Sequence, residues 1–186
     1  ASGAKQSSKV SVHYLYDPFG RRIGKVFEDG TKEFYGYNRE DIVAVYDGTS
    51  LKNAFLHGPG IDEPLIVEAQ GNKNYYAQDH LDSIQKVLNG VGKQEANYEY
   101  SSFGKQTENI HGKGFIASAY GYTGREHDEE TGLDYYRNRY LSVDARKFLI
   151  RDPIGYVFGL NLFAYVLNDP INWIDPWGLY WEYSQS

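Results

Sequence analysis

A chain of 186 residues is long enough to form one domain with a sizeable core. Its net charge of −6 argues against a nucleic-acid-binding surface, and the absence of cysteine excludes disulfide bonds and thiol chemistry. No run of 18 apolar residues occurs, so the sequence predicts no membrane span, and the first ten residues lack the apolar stretch of a signal peptide.

Two features of the composition bear on the kind of protein. The chain has no methionine, even at position 1, which predicts a piece of a longer protein or a processed product. Tyrosine is unusually abundant, with 18 residues against 9 Phe and 3 Trp. A tyrosine on a strand can pack its ring on one surface while its hydroxyl reaches a polar partner. The composition therefore favours an all-β fold over a helical bundle.

The N-terminal part of the chain is typical of a β-hairpin. Low-complexity sequence is confined to residues 1–8, and we expect residues 1–9 to be a disordered or processed end. Apolar and aromatic residues alternate with others over Val10–Tyr16, which predicts a strand, and Asp17–Gly20 predicts the turn that follows it. A second strand over Ile23–Phe27 leads to an Asp-Gly pair, which is a strong hairpin signal.

A tyrosine-centred unit recurs along the chain at about 20 residues or at twice that spacing. Its copies contain Tyr16, Tyr37, Tyr76 and Tyr100, each close to residues that favour turns. A strand–turn–strand unit of this length cannot bury its own surface and needs a neighbour on both sides. The sequence therefore predicts one segment of a larger β-wall.

The last part of the chain contains one short phrase twice, Asp-Pro-Ile-Gly at residues 152–155 and Asp-Pro-Trp-Gly at residues 175–178. Proline fixes φ and the glycine two residues later frees the backbone, so both phrases predict tight turns. In one interpretation, Asp152 and Asp175 only cap these turns by accepting hydrogen bonds from backbone amides. In the other, the two carboxyl groups meet in a poorly solvated site, share one proton and act together as general base and general acid.

Residues 120–179 resemble the Rhs-repeat-associated core, the closing segment of Rhs/YD-repeat polymorphic toxins and of the C component of Tc toxins. The resemblance rests on the Thr-Gly-Leu-Asp-Tyr-Tyr-Arg-Asn-Arg-Tyr segment at residues 131–140, on the two Asp-Pro phrases, and on Gly-Leu-Asn-Leu-Phe-Ala-Tyr-Val at residues 159–166. The Tyr-Asp pair at residues 16 and 17 resembles the repeat of the same family. In that family the repeats form a hollow β-strand spiral, a shell whose last turns curl inward as a loop-rich plug.

The resemblance implies a division of the chain. Residues 10–119 would be a YD-repeat shell segment, residues 120–179 the core with plug and self-cleavage motif, and residues 180–186 the start of a downstream toxin or a retained tail. It also bears on residues 79–88, whose apolar side chains recur at helical spacing. The matching family segment is strand–turn–strand, so we expect a hairpin there, with Asp82 in the place of a glycine.

The resemblance also implies a chemistry. In the matching cores the two aspartates cut their own chain after the leucine of Asp-Pro-x-Gly-Leu. Carried over, Asp152 and Asp175 are the catalytic residues, and the scissile bond joins Leu179 to Tyr180. The enzyme would act once, on itself.

One departure from the family concerns the residue that supports this site. The family usually has arginine where this chain has Lys147. Lysine keeps the charge but lacks the planar fork that binds a carboxylate at two points. Arg146 and Arg151 are further candidates for the supporting role.

The predicted function is that of a C-terminal shell and plug of an Rhs-type toxin, which encloses a toxic domain and releases it by aspartyl-type autoproteolysis. Its partners would be that toxin domain and the upstream shell repeats, together with a secretion apparatus or chaperone. The predicted location is outside the producing cell, by secretion or delivery, or at the cell surface. Two alternatives stay open: a non-cleaving YD-repeat scaffold or cell-surface interaction module, and a carbohydrate-binding β-domain, which only the aromatic content favours.

Other signals are weak, and no cofactor or metal site is expected. The five histidines never occur at metal-ligand spacing. The Gly-Lys-Gly at residues 112–114 lacks the strand-to-helix context of a phosphate loop. The acidic run Asp128-Glu129-Glu130 is interpreted as a solvated charge run at the end of a loop.

Overall fold

A computed structural model describes residues 11–117 and 119–183. The first ten strands are β1 (Val12–Tyr16), β2 (Arg22–Phe27), β3 (Lys32–Asn38), β4 (Asp41–Asp47), β5 (Ser50–His57), β6 (Pro64–Ala69), β7 (Asn72–Gln78), β8 (Ile84–Asn89), β9 (Gln94–Tyr100) and β10 (Gln106–Ile110). Four more strands are β11 (Glu126–Asp128), β12 (Leu133–Tyr136), β13 (Arg139–Ser142) and β14 (Lys147–Phe148). One-turn 3-10 helices lie at Tyr122–Gly124, Tyr156–Phe158 and Val166–Asn168.

This content confirms the predicted all-β fold class. Nowhere in the described ranges is there a helix with the length and apolar character needed to cross a membrane. The predicted N-terminal end at residues 1–9 and the start of the first predicted strand at Val10 lie outside the described residues, as do residues 184–186.

Strands β1 to β10 form one antiparallel sheet in which each strand pairs with its neighbours in the sequence. The first turn is where the sequence predicts it. The Asp17 side chain accepts hydrogen bonds from the N–H groups of Phe19 and Arg21, both at 2.9 Å, and Gly20 has a φ of 84°. Glycine is favoured at such a left-handed φ because it has no Cβ. Local turn chemistry of this kind sets the order of the strands.

The segment at residues 79–88 is a hairpin, as the family resemblance predicts. β7 and β8 pair antiparallel, and between them the Asp79 side chain accepts hydrogen bonds from the N–H groups of Leu81 and Ser83 at 2.9 and 3.0 Å. Asp82 adopts the left-handed conformation with a φ of 61°. Aspartate tolerates this region better than most residues with a side chain, so it can stand in the place of a glycine.

A connecting segment crosses one face of the ten-stranded sheet and leads to a second sheet. Tyr120 of this segment belongs to the buried core of the first sheet, and Phe115 and Ile116 pack against that core. The other buried members of that core are Ile42, Val67, Tyr76, Ile84, Val87, Ala96 and Tyr98. The Ile116 N–H donates to Oδ1 of Asn74 at 2.8 Å, which fixes the crossing segment on the sheet. Strands β11 to β14 then form a four-stranded antiparallel meander.

The second sheet has a core of its own, rich in aromatic rings. Its buried members are Tyr122, Tyr136, Leu141, Phe148, Tyr165 and Val166. The rings of Tyr136, Phe148 and Tyr165 meet edge to face, with centroids 5.4 to 5.7 Å apart. The Tyr136 hydroxyl donates to the Tyr165 hydroxyl at 3.2 Å, so these buried polar atoms satisfy each other.

Two buried cations of β2 join the first sheet to the second. The Arg22 guanidinium lies 2.6 Å from Asp128 and 3.4 Å from Glu126, and the Lys25 ammonium lies 2.6 Å from Asp128 and 2.7 Å from Glu130. Asp128 itself is fully buried. The interpretation of the acidic run as solvated is therefore wrong for Asp128 and Glu130, because cations distant in the sequence compensate them.

The surroundings of Arg22 also account for part of the tyrosine content. Four rings, those of Tyr14, Tyr35, Tyr135 and Tyr140, have centroids 4.1 to 5.9 Å from its guanidinium carbon. An aromatic face attracts a cation, while each hydroxyl remains able to hydrogen bond. These tyrosines therefore pack their rings around the buried charge of Arg22 while their hydroxyl groups can bind polar partners.

Candidate functional site

The first Asp-Pro motif forms a tight turn that follows β14. The Gly155 N–H donates to the carbonyl of Asp152 at 3.1 Å, and Gly155 has a φ of 75°. Oδ1 of Asp152 accepts the N–H of Ile154 at 3.0 Å. One carboxylate oxygen of Asp152 thus stabilises the turn, and the other oxygen, Oδ2, points to a different partner.

The second Asp-Pro motif forms the same kind of turn nearer the C-terminus. The Gly178 N–H donates to the carbonyl of Asp175 at 3.3 Å, and Gly178 has a φ of 65°. Oδ1 of Asp175 accepts two backbone N–H groups, that of Leu179 at 2.9 Å and that of Tyr180 at 3.2 Å. Asp175 is therefore in hydrogen-bond contact with the nitrogen of the predicted scissile bond.

Arg139, the first residue of β13, connects the two aspartates. Its Nη2 lies 3.0 Å from Oδ2 of Asp175 and 3.2 Å from Oδ2 of Asp152. The two Oδ2 atoms can therefore be no farther apart than the sum of these distances, about 6 Å. Turn capping and a shared acidic site are therefore compatible with each other, because each aspartate uses Oδ1 for its own turn and Oδ2 for the shared arginine.

The Arg139 side chain is held on several sides. Its Nε donates to the carbonyl of Gly178 at 2.5 Å, and its Nη1 donates to the carbonyl of Leu162 at 3.3 Å. The ring of Phe148 lies 3.7 Å from its guanidinium carbon. The side chain is only 3% exposed. A planar guanidinium with five donors can satisfy this many partners at once, whereas an ammonium cannot.

The turn that carries Asp175 is anchored to the first sheet through Arg137. The Arg137 guanidinium donates to the carbonyl of Pro176 and to both carboxylate oxygens of Asp62, each at 2.8 Å in the latter case. Asp62 lies in the loop between β5 and β6. The ring of Trp177 lies 5.1 Å from the same guanidinium. The position of the second turn therefore depends on the loop between β5 and β6 of the first sheet as well as on the second sheet.

Burial dominates the electrostatics of the site. It raises the pKa of Asp175 to about 6, although the N–H groups of Leu179 and Tyr180 and the charge of Arg139 act in the opposite direction. Burial likewise lowers the pKa of Arg139, against the effect of Asp175 and Asp152. Removal from water disfavours both charged forms, and the ion pair does not fully compensate it. A raised carboxyl pKa beside a second carboxylate is typical of acid–base sites.

A small cavity of about 30 Å³ adjoins these groups. It is lined by Arg139, Asp152 and Asp175 together with Leu179 and Tyr180. A cavity of this size can hold a water molecule, since one needs roughly 10–15 Å³ and a few polar partners. The space next to the predicted scissile bond is therefore large enough for a hydrolytic water and too small for a separate substrate.

The three predicted supporting residues lie elsewhere. Lys147 is exposed on β14, and Arg151 is exposed just before the first turn. Arg146 is also exposed, with its guanidinium 5.9 Å from the ring of Phe103. Within residues 11–117 and 119–183, Arg139 is the cation found in ion-pair distance of both aspartates.

Sequence reasoning thus missed Arg139, although one signal for it exists. In β13 the buried positions are Arg139 and Leu141, which alternate with half-buried Tyr140 and Ser142. Arginine in register with a buried leucine is unusual and indicates an anionic partner in the core.

In the described part of the chain, no group of three or more His, Asp or Glu side chains is arranged to hold a metal ion.

Comparisons with known proteins find relatives that are much longer. No family model matches the chain. The tRNA3(Ser)-specific nuclease WapA of Bacillus spizizenii is 28% identical over 181 residues, covering 94% of this chain and 8% of that protein. The double-stranded DNA deaminase toxin A of Burkholderia cenocepacia is 30% identical over 207 residues, covering 94% of this chain and 14% of that protein.

Solved structures resemble the same part of the chain. The crystal structure of TcdB2-TccC3 without its hypervariable C-terminal region matches with a TM-score of 0.73 and 21% identity, covering 96% of this chain and 9% of that one. At this identity the likeness shows the fold. The chain therefore spans 8% and 14% of the two relatives and 9% of the solved chain.

Proposed function

Because the chain belongs with the Rhs-repeat polymorphic toxins and contains their toxin-related core, we propose that it forms a shell and plug that encloses a C-terminal toxic domain. We propose further that it cuts its own chain between Leu179 and Tyr180 and so separates itself from that domain. Secretion, or delivery by a bacterial secretion system, follows from this role.

One observation carries the proposal. Oδ2 of Asp152 and Oδ2 of Asp175 both contact a single nitrogen of Arg139, while Oδ1 of Asp175 contacts the amide nitrogen of Tyr180. Turn capping alone accounts for the two Oδ1 atoms. It does not account for two acidic groups, distant in the sequence, that converge beside one particular peptide bond.

The geometry supports a reaction in which the two carboxyl groups share one proton. Asp152 accepts a proton from a water molecule, whose oxygen then attacks the carbonyl carbon of Leu179. Asp175, whose pKa burial raises to about 6, holds the shared proton and gives it to the nitrogen of Tyr180 as the C–N bond breaks. Arg139 limits the repulsion between the two carboxyl groups and holds them in place. The products are a carboxylate at Leu179 and a free amine at Tyr180.

The names of the relatives support a shell rather than a toxic activity in this segment. One matched protein is named as a tRNA nuclease and another as a DNA deaminase, yet both match nearly all of this chain. A segment common to proteins with different activities does not specify either activity. A separate C-terminal region, of the kind that the TcdB2-TccC3 structure lacks, would do so.

The direct test is the mass of the chain under denaturing conditions, after expression with a C-terminal extension. We expect two fragments, one that ends at Leu179 and one that begins at Tyr180. A single uncut chain would instead favour the non-cleaving scaffold. A cut at another bond would refute the assignment of the site.

The rate of the cut is expected to fall as pH rises through about 6, because the protonated fraction of Asp175 falls there. The free energy of unfolding should also fall as pH rises from about 4 to 6, since in that range Asp175 keeps its proton in the folded chain and loses it in the unfolded chain. The measurement is the appearance of the Leu179 fragment after denatured chain is diluted into buffers from about pH 5 to pH 8. A rate that rises across this range would contradict the role of Asp175 as the acid.

A further inference from the structure

The Gly-Leu-Asn-Leu-Phe segment at residues 159–163 leads into a turn beside the two aspartates. The Ala164 N–H donates to the carbonyl of Asn161 at 3.2 Å, and the Phe163 N–H donates to Oδ1 of Asn161 at 3.1 Å. A side-chain hydrogen bond of this kind is typical of an asparagine at the start of a turn. The turn therefore fixes the Asn161 side chain through its oxygen.

The same turn is bonded to the groups of the proposed reaction. The carbonyl of Leu162 accepts the N–H of Asp152 at 2.9 Å and Nη1 of Arg139 at 3.3 Å. Leu162 follows Asn161 directly in the sequence. The position of the Asn161 side chain is therefore tied to the position of the acidic pair and its arginine.

Asn161 lies at the mouth of the small cavity next to the Leu179–Tyr180 bond. It lines this cavity together with Asp152 and Asp175, and it is also exposed to solvent. Its Oδ1 is engaged in the turn, whereas its Nδ2 makes no hydrogen bond to any residue in the described part of the chain. The nitrogen end of this carboxamide is therefore available as a donor.

The proposed reaction needs a hydrogen-bond donor at the carbonyl oxygen of Leu179. When the oxygen of water attacks the carbonyl carbon, an electron pair of the C=O double bond moves to the carbonyl oxygen, which becomes an oxyanion. That pair re-forms the double bond as the bond to the nitrogen of Tyr180 breaks, and this nitrogen takes a proton from Asp175. Donors placed at a developing oxyanion usually make the largest single contribution to catalysis of this kind.

Few side chains at the cavity can fill this role. Arg139 directs its nitrogens to two backbone carbonyls and to both carboxyl groups. Tyr180 and Trp181 also line the cavity, but they follow the scissile bond and belong to the product that is cut off. Among the described lining residues that precede this bond, Asn161 is the one with a side-chain N–H still to be used.

We propose that Asn161 is a further catalytic residue, which donates a hydrogen bond from Nδ2 to the carbonyl oxygen of Leu179 as that oxygen becomes an oxyanion. This role rests on the proposed self-cleavage. A neutral carboxamide suits it, because Nδ2 can stabilise the developing negative charge without neutralising Asp152, which must be ionised to take a proton from water.

The test is the rate at which chains with a C-terminal extension are cut, followed by mass under denaturing conditions. Asn161→Asp keeps an oxygen that can accept the Phe163 N–H, but at neutral pH it has no donor. Asn168→Asp is the control, since it adds the same charge at an exposed position outside the cavity lining. We expect Asn161→Asp to be cut about 100-fold to 1000-fold more slowly than this control at pH 7.

The pH dependence distinguishes a donor from a turn cap. The carboxyl group introduced by Asn161→Asp becomes an O–H donor when it is protonated, so its rate relative to the Asn168→Asp control should recover as pH falls toward about 4. The midpoints of urea unfolding of the two variants should agree at pH 7, because the turn keeps its cap in both. A rate ratio that stays constant from pH 7 to pH 4 would overturn the role of Asn161 as a donor.

The remaining outcomes separate this inference from the proposed function. An uncut parent chain would refute the self-cleavage and the role of Asn161 with it. If the parent is cut and Asn161→Asp is cut at the rate of Asn168→Asp, the role of Asn161 alone is overturned. The same holds if Asn161→Ala is slow while Asn161→Asp is not, since loss of the turn cap would then explain the slower rate.

Discussion

Asp152→Asn and Asp175→Asn are each expected to stop the formation of fragments that end at Leu179. An amide keeps the shape of the carboxyl group and an oxygen that can accept the turn hydrogen bonds, but it cannot take up or deliver the shared proton. Loss of general acid–base catalysis lowers rates by roughly 100-fold to 10,000-fold. The measurement is the fraction of cut chain over time, by mass under denaturing conditions.

Asp144→Asn is the matched control. Asp144 lies between β13 and β14, near the two motifs in the sequence, but its side chain is largely exposed and pairs with Lys105. Its cutting rate should equal that of the unaltered chain. Circular dichroism should show the same β signal for all three variants. The assignment fails if either Asp152→Asn or Asp175→Asn still cuts at the rate of the control.

Arg22→Met is expected to lower the free energy of unfolding by about 3–5 kcal/mol, the usual cost of breaking a buried ion pair by removing one partner. Methionine fills a similar volume but leaves Asp128, which is fully buried, with Lys25 as its remaining cation. Burial acts to raise the pKa of Asp128, and at present Arg22 and Lys25 outweigh it and hold that pKa below its usual value. The measurement is the midpoint of urea unfolding. A shift of the midpoint reports the change in stability if the dependence of the unfolding free energy on urea concentration is the same in both proteins.

Arg21→Met provides a control one residue away. Arg21 is partly exposed and pairs with Asp17 within the first turn, so its loss should cost at most about 1 kcal/mol. Adding Asp128→Asn to Arg22→Met should recover part of the lost stability, because the uncompensated charge disappears. If Arg22→Met is as stable as Arg21→Met, the two sheets are not held together by this ion pair.

The features that the sequence predicts well are local. An aspartate at the start of a turn sets that turn through hydrogen bonds from its side chain to backbone N–H groups a few positions later, as Asp17 and Asp79 do. The two Asp-Pro turns belong to the same class. The hairpin at residues 79–88 needed the family resemblance, because the spacing of its apolar residues also suits a helix.

The features that the sequence does not reveal depend on distant partners. Asp128 looks solvated beside two glutamates, and it is buried because Arg22 and Lys25 come from a strand that begins about a hundred positions earlier. The family resemblance predicts a supporting cation at Lys147, with Arg146 and Arg151 as further candidates. The cation that contacts both aspartates is Arg139, and its role depends on how β13 packs against two turns.

The attachment of the Asp175 turn to the wall has a consequence for timing. Neighbouring strands of the ten-stranded sheet can pair in turn as the chain leaves the ribosome, since all their contacts are sequential. Asp62 is synthesised before Arg137, the residue that it binds. Arg137 also binds the carbonyl of Pro176 and so positions the turn that contains Asp175. We therefore expect Asp152 and Asp175 to come together only after the first sheet has formed. On the proposed function, a chain whose first sheet is incomplete would therefore not cut itself, and the toxic domain would stay covalently attached to it.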